Sequence, residues 1–175
     1  MNYAAIIKRV GRGREGARAI PRAEAADLFG AMLDGRVPDV HLGALLLAYR
    51  IKAESCDELA GFLDALQARV PVVAAPWRTV VIPSYNGART MPNLVPLLAL
   101  SLARRGVPVL VHGVTSDPGR VTTAEIFATL GVRAGVDAAS VAQALARDRV
   151  AFMPVEALAP GLARLLDMRR VLGVR

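Results

Sequence analysis

The chain has 175 residues, of which 54% are hydrophobic and 21% charged, with a formal net charge of +7 and a mean hydropathy of +0.38. That length suits one or two domains with a real core, and the hydropathy implies apolar surface facing another subunit or further sequence. No uninterrupted apolar run nears the ~20 residues of a membrane helix and no signal-peptide core opens the chain, so a cytoplasmic protein without a membrane partner is expected. Cys56 is the single cysteine, which excludes an internal disulfide; with only His41 and His112 beside it, a structural zinc site is disfavoured.

The positive charge favours polyanionic partners. It is concentrated: residues 1–22 hold Lys8, Arg9, Arg12, Arg14, Arg18 and Arg22 against Glu15 alone, a net +5. Tyr3, Ile6, Ile7 and Val10 follow helical spacing, with Gly11 placed for a left-handed cap. Arg12-Gly-Arg-Glu-Gly-Ala-Arg18 then reads either as a solvated basic turn or as a phosphate contact, because glycine lets the main chain approach and arginine supplies a planar, permanently charged fork.

Pro21 suits the first turn of a second helix carrying Ala25, Leu28, Phe29, Met32 and Leu33 and stopped by Gly35. Asp39 is expected to cap a third, whose Leu42, Leu45, Leu46 and Ile51 leave little polar face and call for burial, against a partner copy if not within the fold. Ser55-Cys-Asp-Glu58 is a capping box for a fourth helix with Leu59, Phe62, Leu63 and Leu66. Residues 1–70 thus read as an all-α domain and a dimerisation element, and 71–78, with Pro71 and Pro76, as an extended linker.

From Thr79 the period changes. Thr79-Val-Val-Ile82 and Val107-Pro-Val-Leu-Val111 are short β-branched runs flanking a helix over 93–105, a βαβ unit. Thr122-Thr-Ala-Glu125 opens a helix with Ile126, Phe127 and Leu130, Asp137 caps another with Val141 and Leu145, and Val150-Ala-Phe-Met153 is a third strand ended by Pro154. A last helix covers 160–170. The fold class is α/β with an N-terminal all-α domain, a parallel sheet filling 79–175. Three strands are few for such a sheet, so the native chain is expected to continue past Arg175.

In open parallel sheets ligands settle beyond the carboxyl ends of the strands. Here those loops are Pro83-Ser-Tyr-Asn-Gly-Ala-Arg89 and His112-Gly-Val-Thr-Ser-Asp-Pro-Gly-Arg120. His112 reads as a hydrogen-bonded structural residue or a catalyst without a carboxylate partner, Tyr85 and Asn86 as turn residues or base contacts, and Arg89 and Arg120 as two flanks of an anion crevice or solvated side chains.

Four strings carry a family resemblance: Ile6-Ile-Lys-Arg-Val-Gly-Arg-Gly13, Ile82-Pro-Ser-Tyr-Asn-Gly-Ala-Arg89, Val111-His-Gly-Val114 and Met168-Arg-Arg-Val-Leu-Gly-Val-Arg175. With the order of parts, they resemble the anthranilate phosphoribosyltransferase family (glycosyl transferase family 3), and most closely its YbiB-type nucleic-acid-binding branch. The resemblance implies the nucleoside phosphorylase/phosphoribosyltransferase fold. It also places Pro83, Ser84, Tyr85, Asn86 and Gly87 where the enzymes carry the Gly-Thr-Gly-Gly-Asp motif that wraps pyrophosphate. Proline removes an N–H donor, tyrosine fills diphosphate space and the motif's acid is gone, so that cradle should fail. Asn93-Leu-Val-Pro96 replaces an Asn-x-Ser-Thr phosphate segment, and Val111-His112-Gly113-Val114 replaces Lys-His-Gly-Asn. Arg169 matches an arginine that contacts anthranilate in the enzymes. The magnesium-holding acids of the enzymes would lie beyond Arg175.

The expectation is a non-catalytic, largely sequence-independent nucleic-acid-binding protein, DNA being the expected polymer, with Lys8, Arg9, Arg12, Arg14 and Arg18 on backbone phosphates and a homodimer doubling the patch. Ser84, Tyr85, Asn86, Gly87, Arg89, His112, Gly113, Arg120 and Arg169 are then vestigial pocket positions. No cofactor is expected; magnesium enters only under the alternative, a phosphoribosyl or glycosyl transferase with altered donor or acceptor.

Overall fold

The computed structural model describes residues 1–75, 77–85 and 90–173. They form two compact units, Met1–Val70 with Gly161–Arg175, and Pro71–Pro160.

In the helical unit, α1 spans Tyr3–Val10, its first turn held by Asn2, whose side-chain oxygen accepts from the Ala5 amide at 3.1 Å. Ile6 and Val10 face the core. Gly11 closes the helix by donating to the Ile7 carbonyl, but at φ −95° it is not the left-handed cap the sequence suggests. The left-handed residue is Gly13, φ +76°, and it opens a one-turn helix α2, Gly13–Gly16, inside the basic turn.

Helix α3, Arg22–Leu33, starts behind Pro21, whose missing amide hydrogen is not needed there. Helix α4 covers Asp39–Lys52 with Pro38, not Asp39, at the N-cap; Asp39 lies in the first turn, where its charge complements the helix dipole. Leu42 and Leu45 are buried, whereas Val40, Leu47 and Ile51 are exposed, so the expected burial of this helix holds for one face only. Helix α5, Cys56–Gln67, begins with the Ser55/Glu58 capping box. It packs closely on α3 at Gly61, where a Cβ would lie 2.2 Å from the Arg22 carbonyl oxygen.

A buried carboxylate joins these pieces. Glu58 is fully buried and accepts from the Ile20 amide (3.1 Å), the Tyr49 hydroxyl (3.2 Å), Lys52 Nζ (2.6 Å) and the Ser55 amide (2.8 Å). Burial pushes its pKa up, but the bonds from Lys52, Ser55 and Ile20 outweigh that and hold it below the usual value. Burial and the same carboxylate raise the Tyr49 hydroxyl.

In the α/β unit the strands are β1 Val80–Ser84, β2 Val109–Gly113 and β3 Val150–Pro154, parallel and adjacent in sequence order, with Val80, Val109 and Val150 in register. Helix α6 is Val95–Arg104, α7 Thr123–Thr129, α8 Ala138–Asp148, and α9 Val155–Leu158 follows β3 directly. Both faces of β2 and β3 are covered, whereas Val80 and Val81 of β1 are exposed. Val109, Val111 and Phe152 pack with Ala99 and Phe127, while Leu110, Ala151 and Met153 pack with Val141 and Leu145.

β2 starts two residues later than its apolar run because Pro108 has no amide to give the ladder. Pro83, expected in the loop, is inside β1, which as an edge strand tolerates a residue without a donor.

One boundary differs from the domain division read in the sequence. Helix α10, Pro160–Leu172, belongs with the helices: Leu165 is buried in their core, Leu162 and Met168 pack against it, and Arg164 Nη2 donates to the Met32 carbonyl at 2.5 Å. Gly161 permits this, since a Cβ there would be 2.3 Å from the Leu33 carbonyl oxygen.

Replacing Glu58 by alanine leaves the Lys52 ammonium, only 9% exposed, with the Ala53 carbonyl but no counter-charge, and strands three further donors. Glu58→Ala is expected to lower unfolding stability by about 3–5 kcal/mol in urea titrations, and a loss below 1 kcal/mol would show the network to be dispensable.

Candidate functional site

Where open parallel sheets take their ligands, the described polar groups of this chain hold one another. Ser84, last residue of β1, is 9% exposed, and its hydroxyl shares a 2.7 Å hydrogen bond with that of Thr123 at the start of α7. Asn93 Nδ2 donates to Thr123 Oγ1 (3.1 Å) and to the Val121 carbonyl (3.3 Å), while Asn93 Oδ1 accepts from the Val95 amide at the head of α6 (3.2 Å). The Thr122/Glu125 capping box fixes α7 and so aims Thr123 at Ser84.

Beside this pair, the Tyr85 hydroxyl and His112 Nδ1 are 2.7 Å apart, with the rings edge to face at 5.3 Å and 76°. Burial lowers the His112 pKa. Burial and, secondarily, the Glu156 carboxylate push the Tyr85 hydroxyl up to about 12. At neutral pH the pair is therefore an uncharged imidazole bonded through Nδ1 to an uncharged phenol, whichever tautomer the ring takes.

Gly113, facing Ser84 in the strand register, has a steric explanation. A Cβ on it would sit 1.9 Å from the Ser84 carbonyl oxygen, so only glycine lets β1 and β2 close at this end.

Of the other pocket positions, Asn86, Gly87 and Arg89 lie outside the described residues. Arg120 closes a tight turn, its amide donating to the Asp117 carbonyl (3.3 Å) while Asp117 Oδ1 accepts from the Gly119 amide (2.9 Å). Arg169 is on α10 in the helical unit, where its Nε donates to the Leu166 carbonyl at 3.0 Å. Thr123 escaped the sequence reading. Its signal was the threonine pair: the first caps the helix and the second is free to turn toward the strand.

The described residues do not fit the diphosphate cradle that the resemblance implies. Pro83 offers no amide hydrogen, the Ser84 hydroxyl is bonded to Thr123 and the Tyr85 hydroxyl to His112. Among the described residues no group of three or more His, Cys, Asp or Glu is arranged to hold a metal.

The basic turn is built differently. Lys8 and Arg9 end α1, Arg12 is the N-cap of α2, Arg14 lies within it and Arg18 follows. The Arg18 amide donates to the Arg9 carbonyl (3.0 Å) and Ile20 is pinned by Glu58, so the segment is tied at both ends. Lys8, Arg12, Arg14 and Arg18 are exposed. Arg18 Nη1 donates to the Glu15 and Ala17 carbonyls, and the guanidinium of Arg9 is paired with Glu24 in a half-buried bridge. Arg9 therefore braces the turn, leaving the other four to face solvent.

Closure of the rim can be tested at two residues. Gly113→Ala should force β1 from β2 and lower stability by about 3 kcal/mol, read from thermal unfolding; an unshifted midpoint would contradict the contact. The His112 shift has a definite sign: with the folded-state pKa below the unfolded ~6.5, its contribution is present above that value and is lost as pH falls through the folded pKa. An NMR titration in which His112 titrates at or above ~6.5 would refute it.

Residues 4–70 match the family model described as "Glycosyl transferase family, helical bundle domain". The chain is 44% identical over 178 residues to "Uncharacterized protein YbiB" of Escherichia coli (strain K12), covering 100% of this chain and 56% of that protein. It is 35% identical over 161 residues to an anthranilate phosphoribosyltransferase of Methylobacterium radiotolerans, covering 91% of this chain and 47% of that one. The crystal structure of anthranilate phosphoribosyltransferase (TrpD) from Thermus thermophilus superposes with a TM-score of 0.81 at 24% identity, over 100% of this chain and 52% of that one. The yeast enzyme, from Saccharomyces cerevisiae, in complex with PRPP and Mg gives 0.77 at 14% identity, over 99% and 52%. The chain thus spans about half the length of these relatives. It is homologous to the anthranilate phosphoribosyltransferases, with their fold and with the helical bundle domain of the glycosyl transferase family at residues 4–70.

Proposed function

We propose that the chain binds nucleic acid, DNA in the first instance, through the sugar-phosphate backbone, on a transferase-derived scaffold that performs no chemistry. The observation that carries this reading is the basic turn. Lys8, Arg12, Arg14 and Arg18 stand exposed on one anchored segment, whereas residues 23–70 carry four Lys or Arg against eight Asp or Glu. The net positive charge of residues 1–70 thus lies in the opening turns, which would meet phosphates as point charges and arginine forks. The rim supports the same reading, since its described hydroxyls, imidazole and carboxamide are bonded to one another.

A second copy would double the patch. Val40, Leu47 and Ile51 on α4 and Leu59 and Leu63 on α5 are exposed apolar side chains suited to self-association, which sedimentation at titration concentrations reads directly.

The second reading is a phosphoribosyl or glycosyl transferase with an altered donor or acceptor. It rests on the homology to proteins named anthranilate phosphoribosyltransferase. Calorimetry with phosphoribosyl pyrophosphate and magnesium separates the two: no heat of binding is expected, and micromolar affinity would favour the transferase.

Arg12→Glu combined with Arg14→Glu should weaken binding to unrelated oligonucleotides alike and flatten the dependence of log K on log salt by about 1.8 on duplex, two contacts at roughly 0.9 each. Unaltered affinity and slope would remove the basic turn from the interface.

A further inference from the structure

The α/β unit sorts its charge by edge. Trp77 and Arg78 precede β1, Arg104 and Arg105 precede β2, and Arg147 and Arg149 precede β3, so the register of Val80, Val109 and Val150 brings all of them to the amino edge of the sheet. Arg133 comes close to the same edge, one residue before Ala134, which bridges Phe152 in β3. Six of the eight arginines between residues 71 and 160 are thus gathered there, accompanied by one acid, Asp148. The other four acids of the unit, Asp117, Glu125, Asp137 and Glu156, follow strands or open helices on the carboxyl side.

Arg149 is the best-placed member. It caps α8 in the left-handed conformation at φ +58°, where glycine would meet no steric penalty. Its side chain reaches across the strand starts: Nη1 donates to the Gly106 carbonyl at 3.0 Å and the guanidinium lies 4.7 Å from the centre of the Trp77 ring. The indole is held against a cation yet remains 46% exposed. In the same unit, between α8 and residues 131–136, runs an open groove of about 670 Å³ with Arg133, Gln143 and Arg147 on its walls, Arg147 being paired there with Asp148 at 2.7 Å. That is room for a nucleotide-sized group.

We infer that this edge is a binding surface for single-stranded nucleic acid, the arginines meeting backbone phosphates and Trp77 stacking on an unpaired base. Fixed cations around an immobilised aromatic platform form the combination that holds single strands without reading their sequence. A duplex keeps its bases stacked inside and offers the indole nothing. Such a surface deepens the nucleic-acid reading and rests on it, but it lies on a different unit of the chain and uses residues that reading does not.

Trp77 is the only tryptophan, so the intrinsic tryptophan fluorescence of the full chain reports this edge alone. An oligothymidylate is titrated at low salt while the anisotropy of a dye on the same oligonucleotide reports total binding. Indole quenching is expected to track the anisotropy, to reverse with salt and to be absent with a blunt duplex. Arg104 and Arg105 are both exposed; Arg104→Glu with Arg105→Glu should weaken oligothymidylate binding on the order of tenfold and reduce the salt slope by about 1.4, two single-strand contacts at roughly 0.7 each. Arg133→Glu, on a different segment, should act in the same direction if the double variant does not fold.

Anisotropy binding with unchanged indole emission, equal quenching by the duplex, or undiminished affinity in the folded charge-reversal variants would each overturn the amino-edge site while leaving the basic turn in place. No anisotropy change at low salt would overturn both.

Discussion

The close contact of Ser84 with Gly113 governs what the carboxyl edge can be. With no side chain on Gly113, the carbonyl of Ser84 occupies the place a Cβ would need, and β1 and β2 stay paired to their last residues. Side chains at this end of the strands are bonded together, Tyr85 to His112 and the Ser84 hydroxyl to Thr123. A buried hydroxyl or imidazole that has a partner gains little by changing it for a ligand, so these described groups are poorly placed to serve an anion.

The helical unit depends on a comparable point of convergence. Glu58 draws the amide that follows the basic turn, a tyrosine from α4, a lysine and the N-cap of α5 onto one carboxylate. A buried ion pair has a large desolvation cost, offset only when the remaining lone pairs are bonded too, and here four donors meet two oxygens. Arg9 and Glu24 brace the other side of the turn. Four exposed cations can then stand close together, their mutual repulsion opposed by a backbone held at both ends.

Seen as charge distributions, both units are polarised. Within the helical unit, the cations of the opening turns precede the acidic stretch of residues 23–70, and the α/β unit carries arginines at the strand starts and acids beyond the strand ends. In a doubly covered parallel sheet the carboxyl edge is the customary place for phosphate. Here most of the unit's acids are on that side, and the field that would draw a polyanion points to the opposite edge.

The periodic signals were legible in the sequence alone. Apolar spacing, capping boxes at Ser55 and Thr122 and the cap at Asp137 marked the longer helices, though not the one-turn helices α2 and α9, and β-branched runs marked the three strands, because these depend on neighbours a few residues away. The substitutions in the rim loops, and the cations of residues 1–22, could likewise be read directly. Tertiary structure alone decided that α10 joins the first helices, that Arg9 braces the turn by pairing with Glu24, and that Thr123 completes the hydrogen bonding of Ser84. It also decided that arginines from four separate segments share one edge of the sheet. Those outcomes come from residues far apart in the chain meeting across packed elements, and no local period records which distant carbonyl, carboxylate or ring will be waiting there.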